Sequence, residues 1–190
     1  MNKPLIVMAL ENEGQGKLEA LGYDVLYCGV GKVNATYHLT RTLHRSDLYP
    51  YVLNLGSAGS HTHHTGAVVA ADRFVQRDMD VTGLGFALGV TPFEQDEPMI
   101  TFPRLIRHLP HGICASGDSF HQGPPPMNAD IIDMEAYALA KVCQREGISF
   151  ACVKYITDGA DHNASKDWQE NLIHAADAFV ALLRECAEAA

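Results

Sequence analysis

Continuous apolar runs dominate the pattern of this chain, and each run ends in a polar or glycine-rich segment. Runs without alternation are typical of strands that are buried on both faces of a sheet. They predict strands at Pro4–Leu10, Tyr23–Val30, Tyr51–Leu55, Ala67–Val75, Gly112–Ala115 and Ile148–Ile156, and a shorter apolar pair at Ile131 and Ile132.

Helical periodicity appears between these strands and after the last one. One helix is predicted to follow Gly31 and to end near Arg45, and a second should end at Gly147, a residue type that favours the position after a helix. Ser165 or Asp167 could cap the final helix. Strands that alternate with helices predict a three-layer α/β fold. The second helix has an apolar face of Ala136, Leu139, Ala140 and Cys143, and the last has a stripe of Leu172, Ala175, Ala176, Phe179, Leu183 and Cys186.

Composition narrows the class of protein. A chain of 190 residues that is 47% apolar suits one compact domain over residues 1–190. A net charge of −9 without a Lys/Arg run argues against nucleic acid or an anionic membrane as a partner. The five cysteines show no C-x-x-C pairing, and neither a signal peptide nor a membrane span is visible. We therefore expect a cytoplasmic protein with reduced thiols.

The strongest candidate for chemistry is the junction between Ile131–Ile132 and the second helix. It carries Asp133, Met134 and Glu135 where a strand meets a helix. Helix N-termini stabilise negative charge, and ligands gather at the carboxyl ends of strands in α/β sheets. The alternative is an ordinary charged helix start with a capping residue.

Other strand ends carry candidate residues as well. Glu13 follows the first run and Asp158 follows the last. The small residues Gly56–Ser60 follow the run that ends at Leu55 and would let a ligand approach the backbone closely. Each has a plainer alternative: a solvated loop acid, a turn former before Gly159, and a simple tight turn.

Two further segments look like ligand-binding motifs but lack the spacing that those motifs need. Gly29–Lys32 lacks the spacing of a phosphate-binding P-loop. His61, His63 and His64 lack the ligand spacing and fourth partner of a zinc site. No metal or other cofactor is therefore expected. The glycine-rich segment 78–93 predicts a surface loop for contacts, and the proline-rich connector 122–129 should not be helical.

Taken together, the strand ends resemble the nucleoside phosphorylase and nucleosidase superfamily, and most of all its 5′-methylthioadenosine/S-adenosylhomocysteine nucleosidases. The matching pieces span most of the chain and keep the family's order. They are MALENE (8–13), GVGKVNA (29–35), NLGSAGS (54–60), DMDVTGLGF (78–86), SGDSF (116–120), IDMEAYALAKVC (132–143) and ITDGAD (156–161). The resemblance implies a mixed, twisted central sheet, a homodimer, no cofactor, and a role in nucleoside catabolism and methionine salvage.

The resemblance also implies roles for individual residues. Glu13 would be the general base for water, and Asp158 the acid that protonates the purine. Glu135 would bind the ribose hydroxyls. The remaining implied substrate contacts are Met134 beneath the sugar, Ser57 in a loop near it, Phe120 and its neighbour His121 at the base, and Leu84 and Pro92 closing the 5′ pocket of the other subunit.

The chain departs from the family in length and in pocket residues. It is some tens of residues shorter than members usually are; Leu84 stands where an aromatic residue is common, and His121 where an aliphatic one is. Four functions stay open on the sequence: a nucleosidase acting on adenine nucleosides, a futalosine-type nucleoside hydrolase, a phosphorylase, and a nucleoside-binding protein without catalysis. A phosphorylase needs Arg or Lys near the sugar, whereas the first strand is followed by Glu11 and Glu13.

Overall fold

The computed structural model describes residues 3–45, 49–123, 126–161 and 164–188. Within these ranges the strands are β1 (Leu5–Met8), β2 (Val25–Tyr27), β3 (Tyr51–Gly59), β4 (Val68–Gln76), β5 (Ile100–Thr101), β6 (His111–Ser116), β7 (Ile131–Asp133) and β8 (Ser149–Asp158). The helices are α1 (Glu11–Gly14), α2 (Lys17–Ala20), α3 (Lys32–Leu43), α4 (Ala136–Glu146), α5 (Ala164–Asn171) and α6 (Ala175–Glu188). Short 3₁₀ turns lie at Thr82–Leu84, Pro126–Asn128 and Leu172–His174.

All the described strands belong to one mixed sheet. β8 pairs in parallel with β3 and antiparallel with β4, while β6 pairs in parallel with both β4 and β7. β7 returns to β3 through one antiparallel pair, Gly59 with Ile132. Five strands therefore close into a ring, with β1 and β2 extending from β3 and β5 extending from β4. Closure brings the carboxyl ends of β3, β7 and β8 together.

Helices cover both faces of this sheet, each over its own apolar core. On one face, Leu39 of α3 and Leu139 of α4 pack with Phe74 and Phe150 of the sheet, whose rings meet edge to face at 5.2 Å. On the other face, Leu18 of α2 and Phe179 of α6 pack against β1, β3 and β8. The predicted three-layer α/β sandwich with a mixed central sheet is confirmed.

Two local predictions were wrong. Gly56–Gly59 do not follow the strand but belong to it, so they are not a turn. β3 continues through them paired with β8, with a register shift between Ala58 and Gly59, because small residues do not prevent pairing when neighbouring strands supply the hydrogen bonds. The last helix is two helices separated by the 3₁₀ turn Leu172–His174, and Ser165 and Asp167 lie inside α5 rather than capping it.

The connector 122–129 contains one distorted 3₁₀ turn, in which Met127 has a φ of 77°; its residues 124 and 125 lie outside the described ranges. All five cysteines are free thiols, and four of them are buried. Within the described ranges, no helix is long and apolar enough to cross a membrane.

Candidate active site

A cavity of about 310 Å³, which we call the central cavity, is lined by residues of β3, β7 and β8 and by the segments that follow β1, β6 and β7. This volume lies at the lower end of the range for small-molecule sites. The residues selected from the sequence that line it are Glu13, Ser57, Phe120, His121, Met134, Glu135 and Asp158. Asp133 of the predicted strand–helix junction also lines it, and so do Arg77, Lys154 and Trp168, for which the sequence predicted no site role.

Glu13 lies on α1 directly after β1, and only 3% of it is exposed. Its Oε1 atom accepts hydrogen bonds from the backbone N–H of Ser57 at 2.8 Å and from the Ser57 hydroxyl at 2.7 Å. Its Oε2 atom accepts one bond, from the N–H of Leu10 at 3.1 Å. The alternative that Glu13 is a solvated loop acid is wrong. Oε2 can still accept a further hydrogen bond.

Ser57 lies within β3 and not in a loop. Its hydroxyl oxygen accepts a hydrogen bond from the indole N–H of Trp168 at 3.0 Å. Trp168 lies on α5, which packs against β8, and its half-buried side chain lines the central cavity. The one signal in the sequence was that this is the chain's sole tryptophan, ten residues after Asp158.

Glu135 stands between β7 and α4 and is 8% exposed. Its side chain makes no capping bond to α4; instead its Oε1 atom accepts the backbone N–H of Gly31 at 2.8 Å. Asp133 caps the helix by accepting the N–H of Ala136 at 2.8 Å. The alternative of an ordinary capping role therefore belongs to Asp133 and not to Glu135.

The pKa of Glu135 is raised to about 7. Burial is the largest cause, and the negative charge of Asp133 adds to it, whereas Lys154 and the Gly31 N–H oppose the rise. Glu135 is thus poised between its protonated and ionised forms near neutral pH.

Lys154 and Asp133 form a buried ion pair of 2.9 Å beneath the cavity. Burial would raise the pKa of Asp133, but the Lys154 ammonium and a hydrogen bond from Ser116 hold it below its ordinary value. Burial would lower the pKa of Lys154, yet the Asp133 carboxylate raises it well above its ordinary value. Both groups are charged at neutral pH. The signal in the sequence was a lone charge inside the apolar run of β8.

Asp158 is the last residue of β8 and is 4% exposed. Its Oδ1 atom accepts the N–H of Ala160 and its Oδ2 atom the hydroxyl of Thr157, both at 2.9 Å. Burial raises the pKa of this carboxyl against these two bonds, and the charge of Asp167 raises it further. A Cβ at Gly59 would lie 2.7 Å from Oδ1, so the bare glycine is what admits the carboxyl group here.

The segment after β6 carries Phe120 and His121 to the cavity. Phe120 is 51% exposed, and the His121 ring contacts the carbonyl of Gly123 at 2.7 Å. Arg77 anchors the start of this segment. Its guanidinium donates to the Ser119 hydroxyl at 3.0 Å and to the Gly117 carbonyl at 3.1 Å. Arg77 is 6% exposed, and its Nε is buried without a partner.

Leu84 and Pro92 do not line the central cavity of their own chain. Leu84 lies on the 3₁₀ turn Thr82–Leu84 and is 73% exposed, and Pro92 is half-buried in the same loop. Phe93 beside it is 92% exposed. These positions agree with the predicted contact loop and leave the expected contact with a second subunit as a prediction.

The histidine-rich segment holds no metal cluster in the part of the chain that the structure describes. The ring of His61 contacts the carbonyl of Gly123 at 2.8 Å, and that of His64 contacts the carbonyl of Thr65 at 2.9 Å.

Comparison with known proteins agrees with this geometry. The sequence model of the phosphorylase superfamily matches residues 15–188. The 5′-methylthioadenosine/S-adenosylhomocysteine nucleosidase of Marinomonas sp. (strain MWYL1) is 32% identical over 184 residues, covering 85% of this chain and 79% of the relative. The nucleosidase of the same name from Bacillus pumilus (strain SAFR-032) is 32% identical over 188 residues, with coverages of 85% and 80%.

Solved structures share the fold. The Helicobacter pylori 5′-methylthioadenosine/S-adenosylhomocysteine nucleosidase, in complex with a substituted pyrrolidin-3-ol, superposes with a TM-score of 0.87 at 23% identity, covering 100% of this chain and 99% of that one. The futalosine hydrolase of Helicobacter pylori superposes with a TM-score of 0.88 at 22% identity, with coverages of 100% and 98%.

The fold and the cavity thus define an α/β protein with a small-molecule site at the carboxyl ends of its strands. The chain belongs to the phosphorylase superfamily, within which its curated relatives are 5′-methylthioadenosine/S-adenosylhomocysteine nucleosidases. The family predicted from the seven sequence motifs is confirmed.

Proposed function

We propose that this protein hydrolyses the N-glycosidic bond of an adenine nucleoside of the 5′-methylthioadenosine or S-adenosylhomocysteine type, giving free adenine and a free sugar. One observation carries the proposal: three buried carboxyl groups, those of Glu13, Glu135 and Asp158, line the same cavity in three different hydrogen-bonding environments. The names of the curated relatives indicate the substrate class.

Cleavage of this bond builds positive charge on the sugar and negative charge on the departing base. It therefore needs an acid at the leaving group and a base at the attacking water. Asp158 is suited to the acid, because burial raises its pKa and favours the protonated form. It would donate its proton to a ring nitrogen of the purine, which leaves as neutral adenine.

Glu13 is suited to the base. Three backbone and hydroxyl donors hold its carboxylate, and Oε2 has room to accept from a water molecule. The water would lose a proton to Glu13 as its oxygen bonds to the anomeric carbon.

Glu135 would accept hydrogen bonds from the ribose hydroxyls as an ionised carboxylate, with Met134 beneath the sugar. Two such charge-assisted bonds favour the ionised form that burial alone disfavours. The negative charge also lies near the cation that develops on the sugar. Phe120 and His121 would contact the base at the mouth of the cavity.

Hydrolysis is favoured over phosphorolysis by the charges around Glu13. A phosphate at that position would meet a carboxylate, and the ammonium of Lys154 is already neutralised by Asp133. The other cation among the described lining residues, Arg77, is engaged with the segment 117–119.

The proposal also covers the oligomeric state, the localisation and the pathway of the protein. We infer a cytoplasmic homodimer of single-domain subunits over residues 1–190, which acts in methionine salvage. Support for the dimer comes from exposed apolar side chains on α3, which packs beside α4. Val33 and Tyr37 line a groove beside Lys141, and Lys141 contacts Glu94 at 2.7 Å, which places the loop carrying Phe93 at the edge of that groove.

The experiment that tests the function incubates the protein with 5′-methylthioadenosine, adenosine, inosine and an aminofutalosine, with and without phosphate, and measures free base and sugar products. We expect adenine and free sugar from 5′-methylthioadenosine without phosphate. A requirement for phosphate with formation of sugar 1-phosphate would identify a phosphorylase. Cleavage of the aminofutalosine alone would identify a futalosine-type hydrolase, and binding without cleavage a nucleoside-binding protein.

A further inference from the structure

Trp168 is joined to Glu13 through one intervening side chain. The indole N–H donates to the Ser57 hydroxyl oxygen at 3.0 Å, and that hydroxyl lies 2.7 Å from Oε1 of Glu13. Residues from three separate elements, α5, β3 and α1, meet in this chain of hydrogen bonds at the wall of the central cavity.

The direction of both bonds is fixed by chemistry. An indole N–H can only donate and an ionised carboxylate can only accept, so the single proton of the Ser57 hydroxyl must point at Glu13. Donation from Trp168 polarises that hydroxyl and strengthens the bond that it makes to the carboxylate. The Ser57 side chain cannot rotate away without losing both bonds.

We propose that Trp168 is a positioning residue for the reaction: through Ser57 it holds the Oε1 atom of Glu13, so that Oε2 is presented to the attacking water. The inference rests on the proposed function, since Glu13 is the base of that reaction. It goes beyond that function because it gives α5 a part in positioning the general base, Glu13, as well as in enclosing the substrate.

The anchoring of α5 supports this role. Asn171, at the end of α5, donates through its side-chain nitrogen to the Thr157 carbonyl at 3.1 Å, next to Asp158. The helix that carries Trp168 is therefore tied to the strand that carries the proposed acid. One short helix thus contacts the surroundings of both the acid and the base.

The test removes the N–H and keeps an aromatic ring. In Trp168→Phe we expect kcat to fall by ~2- to 10-fold, the effect of losing one hydrogen bond of ordinary net strength, with KM changed by less than ~2-fold. Because the chain has one tryptophan, it can be replaced biosynthetically with its benzothiophene analogue. This replacement removes the indole N–H at position 168 alone and preserves the bicyclic shape. We expect the same loss in kcat.

A double-mutant cycle separates positioning from simple coverage of the cavity. If Trp168 acts through Ser57, Trp168→Phe changes kcat by less than ~2-fold in a Ser57→Ala background. An equal loss of kcat in both backgrounds, or full kcat in the benzothiophene protein, would overturn the inference. Wild-type protein that releases no base would overturn the proposed function and this inference together, whereas an active wild type matched by the variants overturns the inference alone. Thermal melting of each protein identifies any loss that is due to unfolding.

Discussion

The ammonium group of Lys154 and the carboxylate of Asp133 lie 2.9 Å apart, with side-chain exposures of 2% and 1%. Asp133 also accepts the hydroxyl of Ser116 and the N–H of Ala136. The pair thus ties β8, which carries Asp158, to the start of α4, which directly follows Glu135.

Removing one partner of this pair should be costly. Lys154→Met leaves the Asp133 carboxylate buried without its counter-ion, and we expect the free energy of unfolding to fall by ~3–5 kcal/mol. Urea denaturation monitored by circular dichroism measures the change. The matched control is Lys166→Met, since Lys166 and Glu170 are 3.7 Å apart with side chains 76% and 62% exposed. That control should cost less than ~1 kcal/mol. Equal effects of the two substitutions would contradict the electrostatic role of Lys154.

The two glutamates of α1 provide a matched pair for the base. Glu13 is buried against Ser57, whereas Glu11 is exposed on the same helical turn. Glu13→Gln should lower kcat by ~10²-fold or more, the usual scale of general-base catalysis, while Glu11→Gln should leave it within ~2-fold. Base release in phosphate-free buffer is the measurement. A fully active Glu13→Gln protein would remove Glu13 from the reaction.

The acid can be tested from both enzyme and substrate. Asp158→Asn should nearly abolish turnover and leave the fold intact, while Asp177→Asn, at an exposed position on α6, should retain activity. A 7-deaza analogue lacks the ring nitrogen that would receive the proton, so it should bind without being cleaved. Rapid cleavage of that analogue by the wild type would exclude Asp158 as the acid.

The sequence was sufficient for the strand ends but not for what surrounds them. Glu13, Glu135 and Asp158 each follow an apolar run. The carboxyl ends of the parallel strands β1 and β8 lie at one edge of the sheet, which brings Glu13 and Asp158 together. Glu135 follows β7, which is antiparallel to β3, and closure of the sheet brings it to the other two. Lys154 and Trp168 could not be placed in this way. The ion pair of Lys154 joins residues of β7 and β8, and the bond from Trp168 reaches 111 positions along the chain to Ser57. Neither separation leaves a local pattern. The predicted end of β3 at Leu55 was wrong for a related reason. Whether small residues such as Gly56–Gly59 extend a strand depends on the strands beside them.

The titration of Glu135 should be visible in stability. Its pKa is about 7 in the folded protein against an ordinary value of 4.5, so between these pH values the folded chain keeps a proton that the unfolded chain has released. The free energy of unfolding should therefore fall as pH rises through this window. In Glu135→Gln the fall should be shallower, while the raised pKa of Asp158 acts in both proteins and cancels in the comparison. Urea titrations at several pH values measure this. Parallel curves for the two proteins would contradict the raised pKa of Glu135.

The last prediction concerns the loop that holds Leu84, Pro92 and Phe93. Leu84 and Phe93 are 73% and 92% exposed, and a subunit on its own would leave this apolar set in water. The expected homodimer would bury the loop and bring Leu84 and Pro92 to the 5′ pocket of the partner, which would complete each site.

Pro92→Asp places a charge in that interface and should lower assembly and activity together. Ala181→Asp is its control, because residue 181 is exposed on α6, on the opposite face of the sheet from α3 and α4. Light scattering at assay concentration and base release, measured on the same samples, should show an inactive or weakened monomer for Pro92→Asp and an active dimer for Ala181→Asp. A wild type that is fully active as a monomer would contradict the dimer. It would also mean that the 5′ substituent is enclosed by the chain's own residues, because no second subunit would then be needed to close the cavity.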